Sequence, residues 1–388
     1  MKQLFSFILV LLLGVSTLSP SAFGAEKKAP SLAEKAESAI LIERDTGEIL
    51  YEKNGDEKLP PASMTKVMTM ILVMDALDKG KIKMSDKVRT SEHAASMGGS
   101  QIFLEPGEEM TVEQMLKGIA IASGNDASVA MAEHIAGSEE EFVSMMNQKA
   151  KDLGLKNTKF QNPTGLSVED HYSTAHDMSI MAKELLKYEG ITKFTGTYED
   201  YLREDTDKKF WLVNTNRLLK FYDGVDGLKT GYTKEAKYCL TATAKKGNMR
   251  VVAVVFGADT PKDRNSQITK MLDYAFSKYE TSPLYKRDQV VGEVKVAKGK
   301  DKTVEVVTSE PISILNEKGQ GKANMKKEVK LNKDLKAPLK KGDEVGTLII
   351  KKDGKVVTTS PLLAKDSMKE ASWWNFFKRT FTTFTKTS

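Results

Sequence analysis

Apolar and polar positions along the chain change period several times, and each change marks an element. Ala39-Ile40-Leu41-Ile42 and Ile49-Leu50-Tyr51 are short apolar runs on either side of Asp45-Thr46-Gly47. Two such runs around a glycine-containing turn predict a β-hairpin. Pro60-Pro61 stops the strand region, because proline lacks the backbone donor that a ladder needs. At Ser63 the pattern switches. Over 64–79, Val67, Met68, Met70, Ile71, Leu72, Val73, Met74 and Leu77 fall on nearly every side of a helix, and Gly80 closes it. A helix that is apolar almost all round is a buried, central one. Helical periodicity recurs over 111–122, 126–136, 139–153 and 176–187, with loops rich in Gly, Asn and Pro between. Strand patterns return at 240–244 and 251–256 around the turn Lys246-Gly247-Asn248, and a helix over 264–279 follows. Strands, then helices, then strands and a helix predict an α+β domain over 35–280, its two ends joined in one antiparallel sheet flanked by helices.

From residue 283 the texture changes. Short β-branched runs at 290–296, 304–307, 328–331, 347–350 and 355–358 alternate with Gly, Asp and Lys turns. They predict a separate small all-β domain over 283–365. A last segment, 366–388, has a different pattern. Projected on a helix, 371–384 places Trp373, Trp374, Phe377, Phe381 and Phe384 on one face, with Lys378, Arg379 and Lys386 on the other. Aromatics on one side and cations on the other suit a helix lying in a membrane interface. The bland alternative is a helix that docks on the β domain. At the other end, Lys2, an apolar run from Leu4 to Leu13, and Ala22-Phe23-Gly24 before Ala25 read as a secretory leader over 1–24. The apolar run is too short to span a bilayer comfortably.

Composition sharpens this picture. The 388 residues exceed one average domain. The net charge of +6 is uneven. Residues 283–365 hold 19 Lys/Arg against 11 Asp/Glu, and 366–388 hold four against two, so the rest is mildly acidic. A basic C-terminal third suggests contact with an anionic surface. For an exported chain that surface is membrane lipid or anionic wall, not nucleic acid. The single cysteine, Cys239, leaves no internal disulfide, and its strand-like setting reads as a buried structural thiol.

Three motifs carry chemistry. In Ser63-Met64-Thr65-Lys66 the hydroxyl and amine share one helix face near an N-terminus. A neutral lysine amine can activate a serine there, and the helix dipole favours charge developing on an attacked carbonyl. The bland alternative is an N-cap serine beside a solvated lysine, yet Lys66 stands in an almost wholly apolar helix. Ser123-Gly124-Asn125 separates two helical patterns and, taken alone, reads equally as a cap pair. Lys229-Thr230-Gly231 offers a cation, a hydroxyl and a glycine that lets backbone approach closely, which suits carboxylate recognition; a hairpin corner is the alternative.

Ser-x-x-Lys, Ser-x-Asn 60 residues on, and Lys-Thr-Gly 106 residues after that resemble the active-site triplet of penicillin-binding proteins and serine β-lactamases. With Asn162-Pro163-Thr164-Gly165-Leu166, Tyr172-Ser173-Thr174-Ala175, Asp226-Gly227-Leu228, the β-rich stretch and the amphipathic tail, the chain resembles the low-molecular-mass D-alanyl-D-alanine carboxypeptidases over about residues 35–385. The resemblance implies a β-lactamase-like fold and a set of roles. Ser63 is the acylated nucleophile and Lys66 its base. Ser123 relays a proton to the leaving D-alanine amine, and Asn125 holds the substrate amide. Lys229, Thr230, Gly231 and Arg264 bind the terminal carboxylate, and the backbone N–H groups of Ser63 and Tyr232 form the oxyanion hole. It further implies a peptidoglycan stem pentapeptide as substrate, β-lactam antibiotics as covalent inhibitors, a membrane surface met by 371–384, and no metal or cofactor. It places the protein outside the cytoplasmic membrane. Glu-x-x-Leu-Asn of class A β-lactamases is absent, so a penicillin is expected to acylate Ser63 and leave slowly. Two rivals fit less well. Asp170, His171, His176 and Asp177 suggest zinc, but there is no His-Glu-x-x-His and the chain has four histidines. Gly-x-Ser-x-Gly, which a Ser-His-Asp hydrolase would carry, is missing.

Overall fold

The computed structural model describes residues 30–319 and 325–372. The leader at 1–24 and the 371–384 segment from residue 373 onward lie outside the described residues. Five strands form the central sheet: β1 (Ser38–Glu43), β2 (Ile49–Lys53), β3 (Val225–Thr233), β4 (Lys237–Lys246) and β5 (Met249–Ala258). Their order is β2-β1-β5-β4-β3, antiparallel throughout. The expected N-terminal hairpin is present. Its β1 lies against β5, with Ala39 opposite Val255 and Leu41 opposite Ala253.

The alternation of side chains across this sheet makes two cores. Ile40, Ile42, Val252, Val254 and Phe256 pack toward the helices α1 (Lys66–Asp78), α2 (Val112–Ala120), α3 (Asn125–Ala136), α4 (Glu139–Asp152) and α5 (Ala175–Leu185). Ala39, Leu41, Val251, Ala253 and Val255 pack against Ile268, Met271, Leu272 and Ala275 of α6 (Pro261–Lys278). Every position of β1 is therefore buried, which is why Ala39-Ile40-Leu41-Ile42 within it is a continuous apolar run. α1 is central as its pattern predicts: Val67 through Val73 are buried without a break.

Some boundaries differ from the sequence pattern, each for a local reason. Ser63 lies in a 3-10 turn, Ala62–Thr65, and the α-helix proper starts at Lys66. α6 begins at Pro261 rather than 264, because Thr260 caps it, accepting from Asp263 N–H, and Pro261 occupies the first helical position. Lys229-Thr230-Gly231 is not a hairpin corner but the interior of β3, with Lys229 opposite Thr241 and Thr230 opposite Leu240. Two short pairs, Lys87–Arg89 with Glu109–Thr111 and Glu199–Leu202 with Phe210–Val213, lie inside the helical region. They are too short to give an alternation that stands out.

The β-rich part forms a second antiparallel sheet among the described residues. Its order is Val290–Lys295, Thr303–Thr308, Lys355–Ala364, Glu344–Lys352, Met325–Leu331. Val306, Val345, Leu348, Ile350 and Leu362 form its core. An additional ladder pairs Tyr279–Tyr285 with Ile312–Glu317. It continues directly from α6, and Pro283 within it obscures the strand in the sequence. Among the described residues, no helix is long and apolar enough to cross a membrane.

Asp126 connects the fold to the site. It is fully buried in the first turn of α3. Its carboxylate accepts from the backbone N–H groups of Ile102 (3.0 Å), Leu104 (3.1 Å) and Ala127 (2.8 Å). Asp126→Asn turns an amide NH2 toward donors and leaves at least one N–H unpaired. We expect it to cost about 1–3 kcal/mol, read as a lower urea midpoint at unchanged slope; an unchanged midpoint would contradict this assignment.

Candidate active site

The reactive turn is fixed by close backbone approach. Pro60-Pro61 leads into Ala62–Thr65, with Ala62 at φ +47. Gly231 of β3 presses on this turn: a Cβ there would lie 2.6 Å from the Pro61 carbonyl oxygen and 3.2 Å from Met64 N. Gly165, at φ +84, presses from the other side, where a Cβ would collide with the Ala62 carbonyl. Only glycine fits either place. In a 3-10 turn the side chains at i and i+3 eclipse, so Ser63 and the residue ending the turn, Lys66, point together. Lys66 Nζ is 3.0 Å from Ser63 Oγ.

Lys66 is fully buried. Its other partners are Asn125 Oδ1 at 2.6 Å and the Thr164 carbonyl at 2.7 Å. Both are acceptors only. A neutral amine has two N–H donors and one lone pair. In that neutral form the two N–H groups go to Asn125 and Thr164, and the lone pair is left for the Ser63 hydroxyl, whose O–H can donate to it. Burial pushes the ammonium of Lys66 well below its ordinary range, the Lys229 charge adds to this, and Asp126 opposes it. The short distance to Ser63 Oγ and the disfavoured ammonium both suit the role of base that the resemblance implies for Lys66.

Ser123 and Asn125 arrive from the α2–α3 connection. α2 ends at Ala120, and Ser123 sits at φ +64 before Gly124 caps α3. A non-glycine residue in this region costs of order 1–3 kcal/mol and marks functional positions. Ser123 Oγ is buried and has no hydrogen-bond partner among the described residues. Asn125 is oriented on both sides, its Oδ1 accepting from Lys66 and its Nδ2 donating to the Gly98 carbonyl at 2.7 Å.

On the opposite wall, Lys229 is almost fully buried and donates to the Thr230 carbonyl at 3.2 Å. Burial, then the charge of Arg264, bring its ammonium down to about 7. Arg264, buried in the first turn of α6, is lowered to about 10, mainly by burial. Its Nε and Nη2 donate to Asn265 Oδ1 at 3.0 and 2.9 Å. Thr230 Oγ1 is 2.6 Å from Thr215 Oγ1. The Tyr232 side chain is exposed and stacks on Tyr238 at 4.4 Å, so what it offers the turn is backbone. Cys239 is buried, its thiol pushed up to about 12 by burial, and its S–H donates to the Ala236 carbonyl. It is an inert packing group.

Several contributors escape sequence reasoning. Asn162 Oδ1 accepts from Thr164 N–H, Thr164 Oγ1 and Gly165 N–H. The loop is thereby folded so that its Pro163 and Thr164 carbonyls face Thr69 and Lys66. A main-chain acceptor leaves no residue-type signal; the Asn-Pro-x-Gly turn chemistry is the one hint. His171 also acts here, though not as a metal ligand. Its Nδ1 accepts from Gln161 N–H at 3.1 Å, so Nε2 carries the proton and donates to Thr65 Oγ1 at 2.8 Å. Both ring nitrogens are used, and burial lowers the imidazole to about 4, which keeps it neutral. His176 lies apart, beside Asp56 at 3.5 Å.

Comparison with known proteins places this arrangement. The family model described as D-alanyl-D-alanine carboxypeptidase, peptidase S11, matches residues 24–260. The model of the penicillin-binding protein 5 C-terminal domain matches 279–370. The D-alanyl-D-alanine carboxypeptidase DacF of Bacillus subtilis (strain 168) is 70% identical over 388 residues, covering 100% of both chains. DacC of Escherichia coli (strain K12) is 37% identical, covering 94% of this chain and 92% of its own. The crystal structure of penicillin-binding protein 5 from Haemophilus influenzae superposes with a TM-score of 0.67 at 33% identity, over 87% of this chain and 98% of that one. Penicillin-binding protein D2 of Listeria monocytogenes in its ampicillin-bound form gives a TM-score of 0.57 at 30% identity, over 64% and 100%. Across its catalytic part and its β-rich part alike, this chain belongs to the peptidase S11 family of D-alanyl-D-alanine carboxypeptidases.

Proposed function

We propose that the chain removes the terminal D-alanine from peptidoglycan stem pentapeptides through an acyl-enzyme on Ser63. The observation that carries this reading is the Lys66 amine, which gives both N–H groups to fixed acceptors and keeps its lone pair for Ser63 Oγ. The Ser63 proton passes to Lys66 Nζ as Oγ attacks the carbonyl of the penultimate D-alanine. The backbone N–H groups of Ser63 and Tyr232 stabilise the oxyanion. The C–N bond breaks, and Ser123, whose Oγ has no competing partner, passes its proton to the departing amine and takes one back from the Lys66 ammonium, which leaves Lys66 a neutral amine again. Water then adds to the ester, Lys66 taking its proton, and Ser63 regains its own as the shortened peptide leaves. Asn125 holds Lys66 and presents its remaining polar edge to the substrate amide. Lys229, Thr230 and Arg264 hold the terminal carboxylate, which removes the energetic cost of their crowded, buried positive charge.

A β-lactam follows the same first step, and the Listeria protein is named in its ampicillin-bound form. Deacylation is slow, because the loop that carries an activating glutamate in class A β-lactamases contributes carbonyls here. The division of labour follows the sequence: a leader at 1–24, catalysis within 35–280, a β-rich stalk over 283–365, and an interfacial helix within 366–388 that tethers the exported enzyme to the outer face of the membrane.

Ser63→Ala is expected to abolish both D-alanine release from a pentapeptide and covalent labelling by a fluorescent penicillin. Lys66→Ala should lower acylation by roughly 10²–10⁴; a smaller loss would remove Lys66 as the base. The pH dependence of kcat/KM has a definite sign on each limb. It falls on acidification as Lys66 becomes an ammonium. It falls again above about 7 as Lys229 loses its charge, while Arg264 keeps its own to about 10. A profile rising steadily to pH 9 would contradict the role of Lys229. Deleting 366–388 should release the protein from membranes into the soluble fraction with pentapeptide turnover intact; retention on the membrane would contradict the tether.

A further inference from the structure

A second cleft, of about 590 Å³, has no role in the chemistry above. Arg44 at the end of β1, the 186–189 turn and the 245–248 turn form one wall. Residues between Pro283 and Ser313 form the other. Two polar contacts hold the walls together: Ser313 Oγ donates to Asp45 Oδ2 at 2.6 Å, and Arg287 Nη1 donates to the Lys187 carbonyl at 2.6 Å.

Arg44 is 5% exposed. Its Nη1 donates to Asp45 Oδ1 at 2.9 Å and its Nη2 to the Leu186 carbonyl at 3.0 Å. Its Nε is buried and has no partner among the described residues. Glu310 lines the same cleft, and its Oε2 is likewise buried without a partner. A buried polar atom without a partner costs about 1–3 kcal/mol. Both residues line the same cavity, so one donor and one acceptor without partners stand in its walls, each covered from solvent. Lys245 and Lys286 also line it, with no ion pair among the described residues. The open complement is thus a guanidinium N–H, two free ammonium groups and a carboxylate oxygen. Its ligand must be anionic, to meet the cations, and must also carry a hydroxyl, to donate to Glu310. A simple carboxylate has no such donor. A phosphate ester of a polyol has both parts, several acceptor oxygens on the phosphate and free hydroxyls beside it.

We propose that this cleft is a polyol-phosphate site, the phosphate accepting from the exposed Lys245 and Lys286 and, as binding uncovers the two buried atoms, from Arg44 Nε, while a hydroxyl donates to Glu310 Oε2. Glycerol phosphate is the smallest member of the class. The same chemistry reaches an exported protein as a soluble ester, as the repeat of an anionic polymer, or as a glycerophospholipid headgroup. Occupancy would add bonds across the two walls and fix the catalytic part against the β-rich part.

The test uses the full chain and a Lys245→Ala/Lys286→Ala variant, which removes exposed cations outside the catalytic machinery. Calorimetric titration with glycerol 1-phosphate at low salt should show saturable binding. The double variant should weaken it at least about tenfold, one charge-assisted bond being worth roughly that factor, with D-alanine release unchanged. Glycerol alone should not bind. Vesicles of phosphatidylglycerol and of phosphatidylcholine separate the sources. Binding that prefers the former and drops in the double variant assigns a lipid headgroup, and binding of the free ester without that preference assigns a soluble or polymeric ligand. Absence of binding to both ester and anionic vesicles, or equal binding by the double variant, would overturn the proposal.

Discussion

A lysine amine buried inside an apolar helix, where its ammonium form is disfavoured, is the constraint on which the site depends. Lys66 is fully buried, and a cation stands on the facing strand. The neutral form is fully partnered in this setting. Asn125 and Thr164 take the two N–H groups, and Ser63 faces the lone pair. Two of these contacts come from segments far from Lys66 in sequence, so the setting of this amine is made by the tertiary fold and not by the Ser-x-x-Lys turn alone.

The architecture serves that requirement in layers. The central sheet has a core on each face, which buries β1 fully and takes in Leu228 and Val225 of β3. β3 in turn presents Lys229 and presses Gly231 against the Ala62–Thr65 turn. Asp126 pins the 102–104 backbone to the start of α3 and so fixes the position of Asn125. His171, kept neutral by burial, holds Thr65 within the turn itself. None of these groups touches a reacting atom in the proposed mechanism, yet each narrows the freedom of one that does.

Much of this was legible in the sequence. The hairpin around Gly47, the all-apolar α1 and the shift to short β-branched runs after 283 each follow from one period of side-chain burial, and each is present. Ser63, Lys66 and Asn125 stood out by motif, and the fold brings them into hydrogen-bond contact. What escaped was of two kinds. Short strands such as Lys87–Arg89 and the proline-containing Tyr279–Tyr285 have too few alternating positions to register. Main-chain groups such as the Thr164 carbonyl act without any side-chain identity, and Thr215 meets Thr230 through a contact that sequence spacing does not encode. The β3 interior at Lys229 was ambiguous for a related reason. A buried cation breaks the apolar run that would otherwise identify a central strand.

The most direct test of the account is the protonation state of Lys66 itself. Protein labelled with ¹³C at lysine Cε, titrated by NMR and assigned with Lys66→Met, reports that amine apart from the surface lysines. The account predicts a resonance that titrates well below the ordinary 10.5 and is neutral in the pH range where Ser63 is acylated. A Lys66 signal that stays in the ammonium form up to the ordinary lysine range would contradict it.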